Sequence, residues 1–362
     1  MHASDRGQGG VLRLFKPNQI GFSQLRGDLS GGLTAAIVAL PLALAFGVAS
    51  GAGPLAGLYG AIGVGFFAAL FGGTASQISG PTGPMTVIAA SVFTQFGDQP
   101  AVACTVVMLT GVFQMLFGTL RIGGLINLMP YPVISGFMSG VGGLLLLMQC
   151  RPLLALDGSV PLPRSAAELG DLVSAVNPQA LLIGAIATGL CFLTPRPLAR
   201  VLPSPLIALL VCTGLSLTVV DIPVLGVIPA ALPSPQFPAF DFARLDDMLV
   251  AALVLAALGA IDSLLTSLVA DNATASYHDS DRELFGQGVG NLVAGLFGGI
   301  PGAGATIRTL TNIQSGGRTV LSGMLHALVL LAIAVGLGPV VGHIPEAALA
   351  GLLVKVGIDV ID

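Results

Sequence analysis

Apolar runs of helical length follow one another along the chain, separated by short breaks rich in glycine, proline or charge. They occupy about 31–50, 55–72, 81–96, 101–120, 130–149, 179–195, 203–220, 248–269, 284–299, 304–313, 319–342 and 346–361. A membrane-crossing helix needs roughly 20 such residues, so the pattern predicts an all-α polytopic membrane protein. Two runs, 81–96 and 304–313, are short for a full crossing and start in glycine- and proline-rich sequence. The polar connections 151–178 and 221–247 hold most of the remaining Pro, Ser, Asp and Arg.

The two short runs belong to a repeat. Residues 69–87 read ALFGGTASQISGPTGPMTV and residues 295–313 read GLFGGIPGAGATIRTLTNI. Each places Leu-Phe-Gly-Gly at the end of one span, then small residues, then a half-length helix. Alternating the spans across the bilayer makes the first half-helix run outward and the second inward. Inverted repeats with matching broken segments mark the binding site of a secondary transporter.

Composition agrees with membrane as solvent. The chain is 54% hydrophobic and 9% charged, with a mean hydropathy of +0.92, against about a quarter charged for soluble domains. The net charge of −4 is dispersed, which leaves no nucleic-acid footprint. Basic residues set the orientation. With the amino terminus inside, Arg6, Arg13, Lys16, Arg26, Arg121, Arg196, Arg200, Arg282, Arg318 and Lys355 fall on the cytoplasmic side, and Arg151, Arg164 and Arg244 outside. Residues 1–28 lack a cleavable apolar core and are expected to form a cytoplasmic arm in a protein of the inner (plasma) membrane. Cys104, Cys150, Cys191 and Cys212 are isolated, as are His2, His278, His326 and His343. They predict packing residues and no metal cluster.

Non-helical backbone at membrane depth persists only where it lines a protected cavity. Two half-helices starting near the midplane would face their amino ends across a gap, each presenting free N–H groups and about half a positive charge. An anion can sit there without a basic side chain. Thr82 and Gly83 would line one end, with Gly304, Ala305 and Thr306 at the other. The alternative is that these glycines serve helix packing, as the spacings near Gly57–Gly65 are expected to do. Asp262, in ALGAIDSLLTSLVAD, is a deep carboxylate and a functional candidate by that fact. Thr266 lies one turn later, and together they offer hard oxygens for sodium or a proton. Arg308 adds a fixed positive charge, either to the anion seat or as a structural partner of Asp262. Phe46, at the end of ALPLALAF, is a candidate cavity wall or else an ordinary lipid-facing or core packing residue. No nucleophile or acid–base constellation is present, so an enzyme is not expected.

TAAIVALPLALAFGVASGAG, GFFAALFGGT, PTGPMTV, MPYPVISGFMSG, IDSLLTSLVAD, GAGAT and NIQSGGRT together resemble the SulP anion-transporter family over nearly the whole chain, and within it the sodium-dependent bicarbonate carriers of cyanobacteria. The resemblance implies seven plus seven inverted spans, a moving core and a gate, and elevator transport. It further implies a homodimer in the full-length protein, joined through the gate and a cytoplasmic STAS domain. On that implication residues 29–224 are the first repeat and 245–362 an incomplete second one, lacking two spans and the STAS domain. Asp262, Thr266, Gly304 and Thr306 match the carrier's sodium ligands, and Thr82, Ala305 and the helix ends its bicarbonate seat. Arg308 is typical of the wider family, whereas the bicarbonate carrier has glycine, so sodium-independent or proton-coupled transport of sulfate, chloride or a carboxylate is the alternative. A passive channel, a scaffold and a nucleobase permease are more distant ones.

Overall fold

The structure, a computed structural model, describes residues 14–124, 130–155, 176–199, 202–218, 222–226, 233–336 and 341–361. His2, Arg6, Arg13, Arg164 and Arg200 lie outside the described residues. Twelve labelled helices follow the predicted runs: α1 Leu25–Ala49, α2 Pro54–Phe71, α3 Gly83–Gln95, α4 Pro100–Thr119, α5 Tyr131–Leu154, α6 Pro178–Leu193, α7 Ser204–Ser216, α8 Leu245–Thr274, α9 Ser280–Leu296, α10 Thr306–Gln314, α11 Val320–Gly336 and α12 Glu346–Val360. Five of these are long and apolar enough to cross a membrane by themselves, so the protein is a multi-pass membrane protein. Helices α2 to α7 each carry proline at the first or second position. There its missing N–H costs nothing and its fixed φ suits the turn.

Two pairs of residues break the all-helical pattern. β1 (Ser79–Gly80) precedes α3, β2 (Ala303–Gly304) precedes α10, and they pair antiparallel with Ser79 opposite Gly304 and Gly80 opposite Ala303. Strands this short carry no alternation, so the run of small residues predicted only a break. Pairing satisfies backbone that would otherwise be exposed at depth.

The helices pack in two groups that each draw on both halves of the sequence. α1 to α4 pack with α8 to α11, the strongest contacts being α9 with α4 and α2, and α11 with α1 and α2. α12 packs with α5, α6 and α7. α1 and α3 meet the second group, α1 through α7 and α12, α3 through α5 and α12.

Buried polar side chains fix the broken segments in the first group. Glu283 of α9 is 1% exposed. Its Oε2 accepts the N–H groups of Gly73 and Thr74 at 2.9 Å each, and its Oε1 accepts the amides of Gln77 and Gln287 at 2.8 Å. Asn291 clamps Gly302 through both its backbone groups, at 2.8 and 2.9 Å. Asp28 of α1 accepts from the backbone of Arg318 and Thr319 at 2.9 and 3.0 Å, capping the start of α11. At the far edge Arg244 bonds Asp241 at 2.7 Å and Asp98 at 3.1 Å, tying the α3–α4 turn to the start of α8. The Arg244 hydrogen bonds hold both carboxyls below the usual carboxylate range. Cys104, Cys191 and Cys212 are buried, and Cys150 is exposed.

Candidate functional site

Both half-helices open on one cavity. Its volume is about 420 Å³, and Phe46, Thr82, Gly83, Asp262, Gly304, Ala305, Thr306 and Arg308 all line it. Eight of the nine sequence-predicted site residues are therefore together. The ninth, Thr266, stands immediately behind, donating to the Gly304 carbonyl at 3.1 Å and bonded to the Thr306 hydroxyl at 2.8 Å.

No side chain caps α3 at Thr82 or α10 at Ala305. The first-turn N–H groups of both helices thus point at the cavity with their partial positive charge unmet by protein. Proline at position 84 removes one donor from α3, so α10 offers the richer set. The glycines divide between the two expected roles. A Cβ on Gly304 would strike the Gln77 amide and lie 3.1 Å from Ser263 Cα, so this glycine is required by packing. A Cβ on Gly83 would meet only Leu145 Cδ2 at 3.5 Å, an ordinary contact, so here the free space belongs to the cavity. On α2, Gly57, Gly60 and Gly63 each abut another segment's backbone closely, as expected for packing glycines.

The hydroxyl hydrogens of the site are turned inward on the protein. Thr82 donates to Asp262 Oδ2 at 2.7 Å. With Thr266 donating to Gly304, Thr306 donates to Thr266. What Asp262, Thr82, Thr266, Thr306 and the Gly304 carbonyl then have left to offer is lone pairs, the chemistry of a hard cation such as sodium. Thr82 was expected as an anion donor; in this arrangement its hydrogen serves the carboxylate instead. Donors for an anion remain on the backbone of the two helix starts and on Arg308.

Arg308 is 2% exposed. One guanidinium nitrogen donates to the Pro81 carbonyl, and the other, Nη1, has no hydrogen-bond partner. Arg308 and Asp262 attract each other across the site without meeting as a contact ion pair. The guanidinium is buried by its helix: in α10 the residues turned inward are Arg308, Thr309, Asn312 and Ile313, whereas Ile307 is half exposed. Thr309 accepts the Ile78 N–H at 3.0 Å, and Asn312 donates to the Ser76 carbonyl at 2.9 Å. These bonds register α10 against β1.

The opposite wall was not read from sequence. It comes from the second packing group: Ile134 and Met138 of α5, Val356, Asp359 and Val360 of α12, and Ile361. Apolar positions there look like any other helix face in a membrane protein, and nothing in their spacing separates cavity from lipid.

Residues 25–362 match the family model described as the sulfate permease family. The chain belongs to that family. The resemblance read from its motifs is borne out. The bicarbonate transporter BicA of Synechocystis is 49% identical over 356 residues, covering 95% of this chain and 63% of that protein. BicA of Picosynechococcus is 48% identical over 361 residues with the same coverages. The chain thus spans 63% of the length of these curated relatives. The solved transmembrane domain of a cyanobacterial BicA superposes with a TM-score of 0.90 at 47% identity, covering 96% of this chain and 91% of that one. The sulfate permease family is one of membrane transporters, and the helical architecture here is the architecture of that domain.

Proposed function

We propose that this chain is the membrane-spanning part of a secondary active transporter that takes up bicarbonate with sodium. The observation that carries the reading is two uncapped helix starts opening on one cavity beside the Asp262–Thr82–Thr266–Thr306 oxygen set. The anion sits between the starts of α3 and α10 with Arg308 at its side. Sodium takes Asp262, Thr266, Thr306 and the Gly304 carbonyl, so each ion offsets the charge of the other at a depth where neither is stable alone. The name of the relatives at 48% and 49% identity supports bicarbonate over sulfate.

The two packing groups support an elevator mechanism. In it α1 to α4 and α8 to α11 carry the site past α5 to α7 and α12, which act as the gate. The chain lies in the plasma membrane with its amino terminus in the cytoplasm. In the complete protein it forms a homodimer, and residues 29–224 and 245–362 are the two inverted repeats.

A second reading rests on the unpartnered Nη1 of Arg308. A resident cation can replace sodium, which makes the protein a sodium-independent or proton-coupled carrier or exchanger of bicarbonate, sulfate, chloride or a carboxylate. Labelled-bicarbonate uptake into proteoliposomes separates the two. Stimulation by an inward sodium gradient, absent with choline, supports symport. Sodium-insensitive uptake accelerated by bicarbonate or chloride inside supports exchange; absence of any bicarbonate uptake overturns symport and confines the second reading to sulfate, chloride or a carboxylate, and no uptake of those labelled anions either overturns both.

A further inference from the structure

The far wall of the cavity contains one residue that does not belong there. Ile134, Met138, Val356, Val360 and Ile361 are apolar, and among them stands Asp359. A carboxylate facing a cavity built for anions repels its cargo. It also lies in the last turn of α12, where the helix end is itself partly negative. Two electrostatic terms oppose Asp359, and one interaction answers them. Lys355, one turn earlier on the same face, bonds both carboxylate oxygens. The Lys355 ammonium also lies 5.1 Å from the centroid of the Phe192 ring on α6, a cation–π contact that holds it on the gate side. Lys355 itself is not among the cavity-lining residues. The carboxylate is therefore presented to the cavity and its counter-charge is kept back.

From this arrangement we infer that Asp359, steadied by Lys355, is a specificity-determining residue that favours monovalent over divalent anions. The inference rests on the transport reading above. Helix starts and a guanidinium attract an anion in proportion to its charge, so on their own they prefer sulfate or carbonate to bicarbonate. A carboxylate on the opposite wall penalises each unit of charge and works against that preference. A cavity of about 420 Å³ is roughly 9 Å across. At that separation, and with the screening near a protein surface, one unit charge on another changes affinity about tenfold. Side-chain exposures of 26% for Lys355 and 36% for Asp359 leave room for solvent screening, so tenfold is the scale expected and not more.

The test is the ratio of the sulfate inhibition constant to the bicarbonate KM, in proteoliposomes of the full-length protein. Asp359→Asn should move that ratio about tenfold toward sulfate. Lys355→Met, which leaves the carboxylate unanswered, should move it the other way, and Lys355→Met/Asp359→Asn should lie between wild type and Asp359→Asn, still shifted toward sulfate. Asp359→Glu should hold the wild-type ratio, which guards against a variant that merely packs badly. An unchanged ratio in Asp359→Asn, or equal weakening of both anions, overturns the proposal. Stabilisation of the purified protein against heating by sulfate and by chloride gives a corresponding divalent-to-monovalent ratio without transport. A protein that takes up no bicarbonate fails the functional reading, and this binding ratio still decides the role of Asp359.

Discussion

Asp262→Asn separates charge from shape at the centre of the site. Asparagine keeps an oxygen where Asp262 Oδ2 now accepts the Thr82 hydroxyl at 2.7 Å, so the hydrogen bond and the packing survive. What is lost is one negative charge in a position 9% exposed. Two unit charges about 4 Å apart interact by about 4 kcal/mol at the effective dielectric of a protein site. The asparagine oxygen is still a partly negative ligand and returns part of that. A net loss of roughly 3–4 kcal/mol corresponds to a half-saturating sodium concentration about 100- to 1000-fold higher. The assay is the initial rate of labelled-bicarbonate uptake against external sodium, with a melting curve of the purified variant as the control for folding. A half-saturating sodium concentration within threefold of wild type, in a variant that melts normally, would remove Asp262 from the ion site.

Three other substitutions test the neighbouring structure. Arg308→Gly removes the buried cation whose Nη1 is unpartnered, and bicarbonate uptake is expected to become more dependent on sodium; equal sodium response in both proteins would count against a counter-charge role. Glu283→Ala strands the N–H groups of Gly73 and Thr74 and the amides of Gln77 and Gln287. At about 1–3 kcal/mol for an orphaned buried donor, with the amides finding partial substitutes, the loss is roughly 3–5 kcal/mol, read as a Tm lower by several degrees in detergent. The glycine pair should split. Gly304→Ala overpacks against Gln77 and Ser263 and costs about 1–3 kcal/mol of stability. Gly83→Ala should fold normally and raise the bicarbonate KM by narrowing the seat, and the reverse pattern would exchange the roles assigned to the two glycines.

The runs of apolar residues located every labelled helix, with ends displaced by up to six residues, because a bilayer leaves one solution for the backbone of each span. The half-helices were legible for a different reason: a small-residue break repeated in register after Leu-Phe-Gly-Gly is rare enough to see. From those breaks followed Thr82, Gly83, Gly304, Ala305 and Thr306, while Asp262 stood out as a carboxylate deep in a span and Phe46 by its place at the end of ALPLALAF; all of them line one cavity. The bonds that assemble the site were not legible. Thr82 meets Asp262 180 residues away, and Thr74 meets Glu283 209 residues away, with no periodicity to announce either partner. Glu283 in particular reads as a charge in the first turn of α9, an ordinary surface position. The hydrogen directions of the threonines, and the carboxylate of α12 on the cavity wall, likewise exist only in three dimensions.

The pairing of β1 with β2 also has a timetable. Ile78 and Thr309, which bond across the pair, are 231 residues apart. At roughly 5–20 residues per second of synthesis, the first broken segment waits on the order of ten seconds or more before its partner is made. During that wait Gly73 and Thr74 lack Glu283, and the edge of β1 lacks β2 at a depth where backbone needs a partner. The first half must then hold an unfinished strand inside the membrane, shielded by its own helices or by the insertion machinery, until the second half arrives. The cavity is thus among the last features of the molecule to be completed, and a ribosome stalled before residue 303 leaves a protein that is inserted and has no site.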